Sequence, residues 1–182
     1  MRSMRCITLQ HIEVYNTLLI NGVYRASYDF VSENLIRPYK FMQRQLGFES
    51  TPIFLSPVSF YVEMGGAKTT GELMAMEFDV PSEYINIQRY YDWSDLIYFM
   101  EIPWEFEDAA NVTRFDSVED WGKTILNINK QITKECKDPL QVTVPFLKRE
   151  WLVYKTRDID KLVDEHYDTG GRKRLNRLNT YD

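Results

Sequence analysis

Residues able to do chemistry are few in this chain and stand far apart. His11 can act as an acid or a base near neutral pH, and its place at a helix start equally suits a solvated cap. Arg25, beside Tyr24, carries the planar fork that grips a phosphate through two hydrogen bonds; a surface ion pair is the alternative, because carboxylates outnumber cations, 27 to 22. Gln10 and Gln141 flank apolar runs. Each can orient a ligand by hydrogen bonds or satisfy a buried carbonyl at a strand edge. Gly65-Gly66-Ala67-Lys68-Thr69-Thr70 lacks both the spacing of a phosphate loop and a following apolar helix, and reads as a hairpin loop. Trp104, after Pro103 in an acidic run, is the best candidate for an exposed anchor. Arg172-Lys173-Arg174 and Arg177 form a basic end that can touch nucleic acid or simply fray in water. Two histidines, His11 and His166, and two cysteines, Cys6 and Cys136, have no close spacing, so no metal is expected.

The elements that must position these groups start at the N-terminus. Cys6 to Leu9 has the β-branched and apolar character of a buried strand. Ile12, Tyr15 and Leu19 then follow at helical spacing, with Leu18 widening the stripe. Asn21-Gly22 stops that helix, because glycine takes the left-handed conformation at little cost. Asp29 to Leu46 is helical in pattern, and Pro38 either kinks it or opens a second helix. Val58 to Glu63 and Glu72 to Val80 read as strands, the second with a bulge or with both faces covered. Pro81 to Ile85 reads as one helical turn and Tyr90 to Met100 as a short helix. Ser117 opens the clearest helix: its hydroxyl can cap the end, Glu119 and Asp120 suit the positive dipole, and Val118, Trp121, Ile125, Ile128 and Ile132 form one stripe. On that stripe Trp121 belongs to the core. Leu140 to Pro145 and Trp151 to Tyr154 complete the strands, and Asp158 to Tyr167 is a short polar helix. Strands and helices mix without βαβ alternation, which predicts an α+β fold with a mostly antiparallel sheet and flanking helices.

The totals set bounds. A chain of 182 residues that is 44% apolar can bury one sizeable core. The expected organisation is a single domain over 1–168 and a flexible basic tail over 169–182. A net charge of −5 argues against a dedicated nucleic-acid binder. No leader-like apolar stretch opens the chain, and no run reaches the roughly 18 apolar residues of a membrane helix. The expected compartment is the cytoplasm, of a bacterium or a phage-infected host, in keeping with the AT-rich flavour of the Lys, Asn and Tyr usage.

Several stretches together resemble the bacterial and phage family called "domain of unknown function 3841". They are Thr8-Leu9-Gln10, Gly22-Val23-Tyr24-Arg25, Pro57 to Tyr61, Phe78-Asp79-Val80-Pro81, Tyr90-Tyr91-Asp92-Trp93, Ser117 to Trp121, Gln141 to Val144 and Glu150-Trp151-Leu152-Val153. Leu9 replaces the family's Ile, and Ser117 and Trp121 are spaced where the family has them adjacent. More distantly, the strand-helix-glycine opening and the turns at Val80-Pro81 and Val144-Pro145 are similar to ADP-ribosyltransferases that modify nucleic acid. That likeness implies a cleft for NAD or another nucleotide. Thr8 or Gln10 would hold the ribose and adenosine half, Tyr61 or Phe60 would stack on the nicotinamide, and Gln141 would replace a ribose-binding glutamate. Arg25 joins this lining. Gln141 carries no charge to oppose an oxocarbenium-like centre, so Glu150 or Asp92 would have to supply the carboxylate.

Two readings therefore leave the sequence. In the first, the chain binds NAD or another nucleotide through Thr8, Gln10, Arg25, Tyr61 and Gln141, with Gln141 and Glu150 as catalytic candidates; nucleic acid enters only as a substrate of modification. In the second, it is a non-catalytic inhibitor that holds a host or defence protein through an acidic, aromatic face around Glu101 to Asp108.

Overall fold

Nine residues, Ser3–His11, form strand β1 in the computed structural model, which describes residues 3–58, 72–101, 117–126 and 140–158. The fold is α+β: helices accompany a mostly antiparallel sheet of six strands and a small sheet of two. Contacts divide the described residues into two units. One gathers 3–24, 55–58, 72–84 and 147–158; the other gathers 25–54, 85–101, 117–126 and 140–146. The sequence groups 1–168 as one domain. Residues 169–182, the expected tail, lie outside the described residues.

In the first unit β1 pairs along its whole length with β4 (Leu73–Pro81), from Ser3 opposite Pro81 to His11 opposite Leu73. On the other edge of β1, Cys6 and Ile7 face Pro57 and Ser56 of β3 (Ile53–Pro57). On the far edge of β4 lies β8 (Leu152–Thr156), whose register slips between Glu77 and Phe78. Both alternatives read from the Glu72 to Val80 stretch are therefore present. The strand bulges, and Met74, Ala75, Met76, Glu77, Phe78 and Val80 are all buried, so both of its faces are covered. Helix α1 (Ile12–Asn21) follows β1 directly and packs on β1 and β4. It turns Val14 and Leu18 inward and leaves Leu19 and Ile20 exposed: Leu18 belongs to the expected stripe, but the buried side is centred one position from Ile12, Tyr15 and Leu19. Gly22, at φ 75°, ends it and donates its N–H to the Leu18 carbonyl. Arg149 covers the same helix end: its backbone N–H reaches Gly22 O at 2.8 Å and its guanidinium reaches Leu19 O at 3.1 Å. Those bonds extend the two-stranded sheet of β2 (Val23–Tyr24) and β7 (Leu147–Lys148).

The second unit is built on α2 (Ile36–Leu46), α3 (Tyr90–Glu101), α4 (Val118–Leu126) and the antiparallel pair β5 (Asn86–Arg89) and β6 (Leu140–Val144). The expected long helix from Asp29 begins instead as two 3-10 turns, Tyr28–Phe30 and Glu33–Leu35. Ser27 and Ser32 precede them, and Ser27 Oγ takes the Asp29 N–H, a local bond that competes with helix propagation. Pro38 then sits in the first turn of α2, where its missing N–H leaves no intrahelical bond unmade. Phe41 and Met42 from α2, Trp93, Leu96 and Met100 from α3, and Val118, Ile125 and Leu126 from α4 form one buried cluster. Trp121 packs against this cluster half-buried, edge-on to Phe99 at 5.7 Å, rather than inside it. Ser117 caps α4 as expected, accepting the Asp120 N–H at 3.1 Å.

Strand β3 begins five residues before the strand expected at Val58 to Glu63, and Val58 is already past its end. Residues 59–71, including Phe60 and Tyr61 and the Gly65 to Thr70 loop, lie outside the described residues.

Candidate functional site

In the first unit, Thr8 and Gln10 project from the same side of β1, two residues apart. Thr8 is buried, and Gln10 Nε2 donates to Thr8 Oγ1 at 2.9 Å. That bond joins two of the expected ligand contacts to each other. His11 accepts the Glu13 N–H through Nδ1, the cap role read from its position, and its Nε2 meets Glu72 at 2.9 Å on the surface. Glu150 is 70% exposed and pairs with Lys148 at 3.3 Å. In that setting water screens its charge.

Gln141 and Arg25 belong to the second unit. Phe146 lies 5.3 Å beneath the Arg25 guanidinium, a cation–π contact just beyond the C-terminal end of β6. Gln141 stands near the start of that strand, so roughly 15 Å of chain separates it from Phe146. Around Gln141 is a feature the sequence reading missed. In the ladder, Asn86 faces Thr143 and Gln88 faces Gln141. Alternation puts all four side chains on one face of the pair and Ile87, Arg89, Leu140 and Val142 on the other. Asn86, Gln88, Gln141 and Thr143 are all buried, at 5, 1, 6 and 0% exposure. Gln88 Nε2 donates to Thr143 Oγ1 at 2.6 Å. Its Oε1, and both Nδ2 and Oδ1 of Asn86, have no hydrogen-bond partner among the described residues. Leaving such an atom dry and unpaired costs about 1–3 kcal/mol. The sequence signal was available in Asn86-Ile87-Gln88, an amide alternating with an apolar residue before the Tyr90 helix.

A second buried polar feature lies in the first unit. Glu77, 2% exposed on β4, takes a hydrogen bond from Arg5 Nη1 through Oε2 at 2.9 Å. Ile7 sits opposite Glu77 and Arg5 opposite Asp79, so the pair meets diagonally across one face of the sheet. Thr8 and Gln10 project from the other face. The neighbouring Cys6 is fully buried, and desolvation, helped by the charge of Asp79, pushes its thiol far above the usual range. It is a packing residue without thiolate character.

The amide face can donate and accept hydrogen bonds side by side. It holds no ionisable side chain, so it offers neither an acid nor a base nor a charge to oppose a developing cation. Among the described residues no three His, Cys, Asp or Glu side chains stand close enough to hold a metal ion, and no helix is long and apolar enough to cross a membrane. The acidic stretch after Glu101, with Trp104, and the basic Arg172 to Arg177 segment lie outside the described residues. No protein-family model, no curated protein and no solved structure matches the chain.

Proposed function

We propose that this protein binds a nucleotide, NAD or a relative of it, through the amide face of β5 and β6. The observation that carries the reading is Asn86, a buried amide with neither polar atom partnered among the described residues. An amide presents a donor beside an acceptor, the complement of the adenine edge and of a ribose diol. Gln88 Oε1 adds an acceptor, and Gln141 lies directly across the ladder. The reading is one of binding without group transfer, because the face has no carboxylate. NAD would bring its own electrophilic anomeric carbon; the chain's part is to hold the base or ribose and keep water away. The face is closed in the described structure, so a ligand enters as it opens, and association should be slower than to a preformed pocket.

Calorimetric titration with NAD, ADP-ribose and AMP tests this. Saturable heat with at least one of the three is the expected result. No binding of any of them at millimolar concentration would refute the reading.

A further inference from the structure

Helix α2 turns Pro38, Phe41 and Met42 inward. Its opposite side lines an open groove of about 450 Å³ with Glu33, Ile36, Arg37, Lys40 and Arg44. This is a concentration of positive charge on an acidic chain. Arg37 is already committed, donating to Met100 O at 3.1 Å and to Glu119 at 2.9 Å. Lys40 lies over the Tyr28 ring at 5.5 Å, and the Tyr28 hydroxyl donates to Gln43 Oε1. Neither Lys40 nor Arg44 makes an ion pair among the described residues. Two residues beyond Tyr28, Phe30 stands 87% exposed.

We infer that this groove docks a short acidic segment of a partner protein, bound in extended form with the pattern Leu-x-Glu-x-Glu. The spacing carries the argument. Ile36, Lys40 and Arg44 are four residues apart and share one helix face, rising about 6 Å at each step. Alternate residues of an extended peptide are about 6.7 Å apart on one side. An apolar residue on Ile36 then brings two carboxylates to Lys40 and Arg44. A nucleic-acid strand fits less well. It has nothing apolar to place on Ile36, its phosphates would meet the Glu33 carboxylate, and no aromatic ring lines the groove for base stacking.

Fluorescence anisotropy with a labelled peptide containing Leu-Ser-Glu-Ser-Glu tests the inference. A control peptide of the same composition is ordered Leu-Glu-Glu-Ser-Ser, and labelled oligo-dT serves as a polyanion of another class. The first peptide should bind at least fivefold more tightly than the control. Lys40→Glu with Arg44→Glu should weaken it at least tenfold; both positions are exposed, so the fold should survive, which circular dichroism checks. Equal binding of the two peptides, tighter binding of oligo-dT, or binding that survives the charge reversal would overturn it.

Discussion

Replacing Arg5 with alanine should remove about 3 kcal/mol of folding stability. The side chain is 43% exposed, which on its own would mark a tolerant surface position. Its partner decides the outcome. Glu77 is 2% exposed in the most deeply covered strand of its unit, and Arg5 is 2.9 Å from its Oε2. Removing Arg5 takes a charge-assisted bond from a carboxylate held out of water, and breaking such a pair is far more damaging than never having had it. The double replacement Arg5→Met with Glu77→Leu should accordingly lie within about 1 kcal/mol of the wild type, or above it. Guanidinium denaturation at constant m-value measures both. A loss below 1 kcal/mol for Arg5→Ala would show that Glu77 does not depend on Arg5.

The second large effect is expected at Gly122. It is a helical glycine with an ordinary backbone, so conformational freedom is not its purpose. A Cβ there would stand 2.7 Å from Phe41 Cε1 and 2.9 Å from Leu96 Cδ1. Both neighbours are buried in the same cluster, at 3 and 0% exposure, and cannot easily retreat. Alanine gains about 1 kcal/mol in helix propensity and loses about 1–3 kcal/mol to overpacking, for a net loss near 1. Leucine gains almost as much propensity but brings three more carbons into the same contact and should lose about 3 kcal/mol or more. Phe41→Leu, destabilising alone, should recover part of the Gly122→Ala loss when the two are combined. A Gly122→Ala variant as stable as the wild type would mean that α2, α3 and α4 part at a cost no larger than the helix propensity gained, about 1 kcal/mol.

Much of the fold was legible where one residue dictates the backbone. Gly22 and Gly47 end helices at φ 75° and 67°, Ser117 caps α4, and Pro38 sits in a first turn. Burial was harder to read than position. In α1 the inward residues are Val14 and Leu18, because an apolar stripe as broad as Ile12 to Ile20 does not say which side meets the sheet. Strand β5 escaped notice because two of its four residues are amides, whose propensity argues against a strand. Its burial comes from tertiary context that no local pattern announces. Glu77 was hidden for a related reason: a lone carboxylate in an apolar run reads as the solvent side of an alternating strand. The diagonal approach of Arg5, 72 residues earlier, depends on register. The cations of α2 stood in plain view at Arg37, Lys40 and Arg44, but only the fold shows them sharing a groove. Of the expected ligand residues, Gln141 lies in the amide face, Thr8 and Gln10 bond to each other, Arg25 stacks on Phe146, Glu150 pairs with Lys148, and Tyr61 lies outside the described residues.

The measurement that bears most directly on the account is the stability of Asn86→Leu with and without nucleotide. If Asn86 is kept for a ligand, an apolar side chain of similar size should stabilise the free protein by about 1–2 kcal/mol. The wild type should gain roughly 2.7 kcal/mol at a nucleotide concentration 100 times its dissociation constant, and the variant should gain nothing. A variant less stable than the wild type, or one that nucleotide still stabilises equally, would contradict the account and make Asn86 a structural residue.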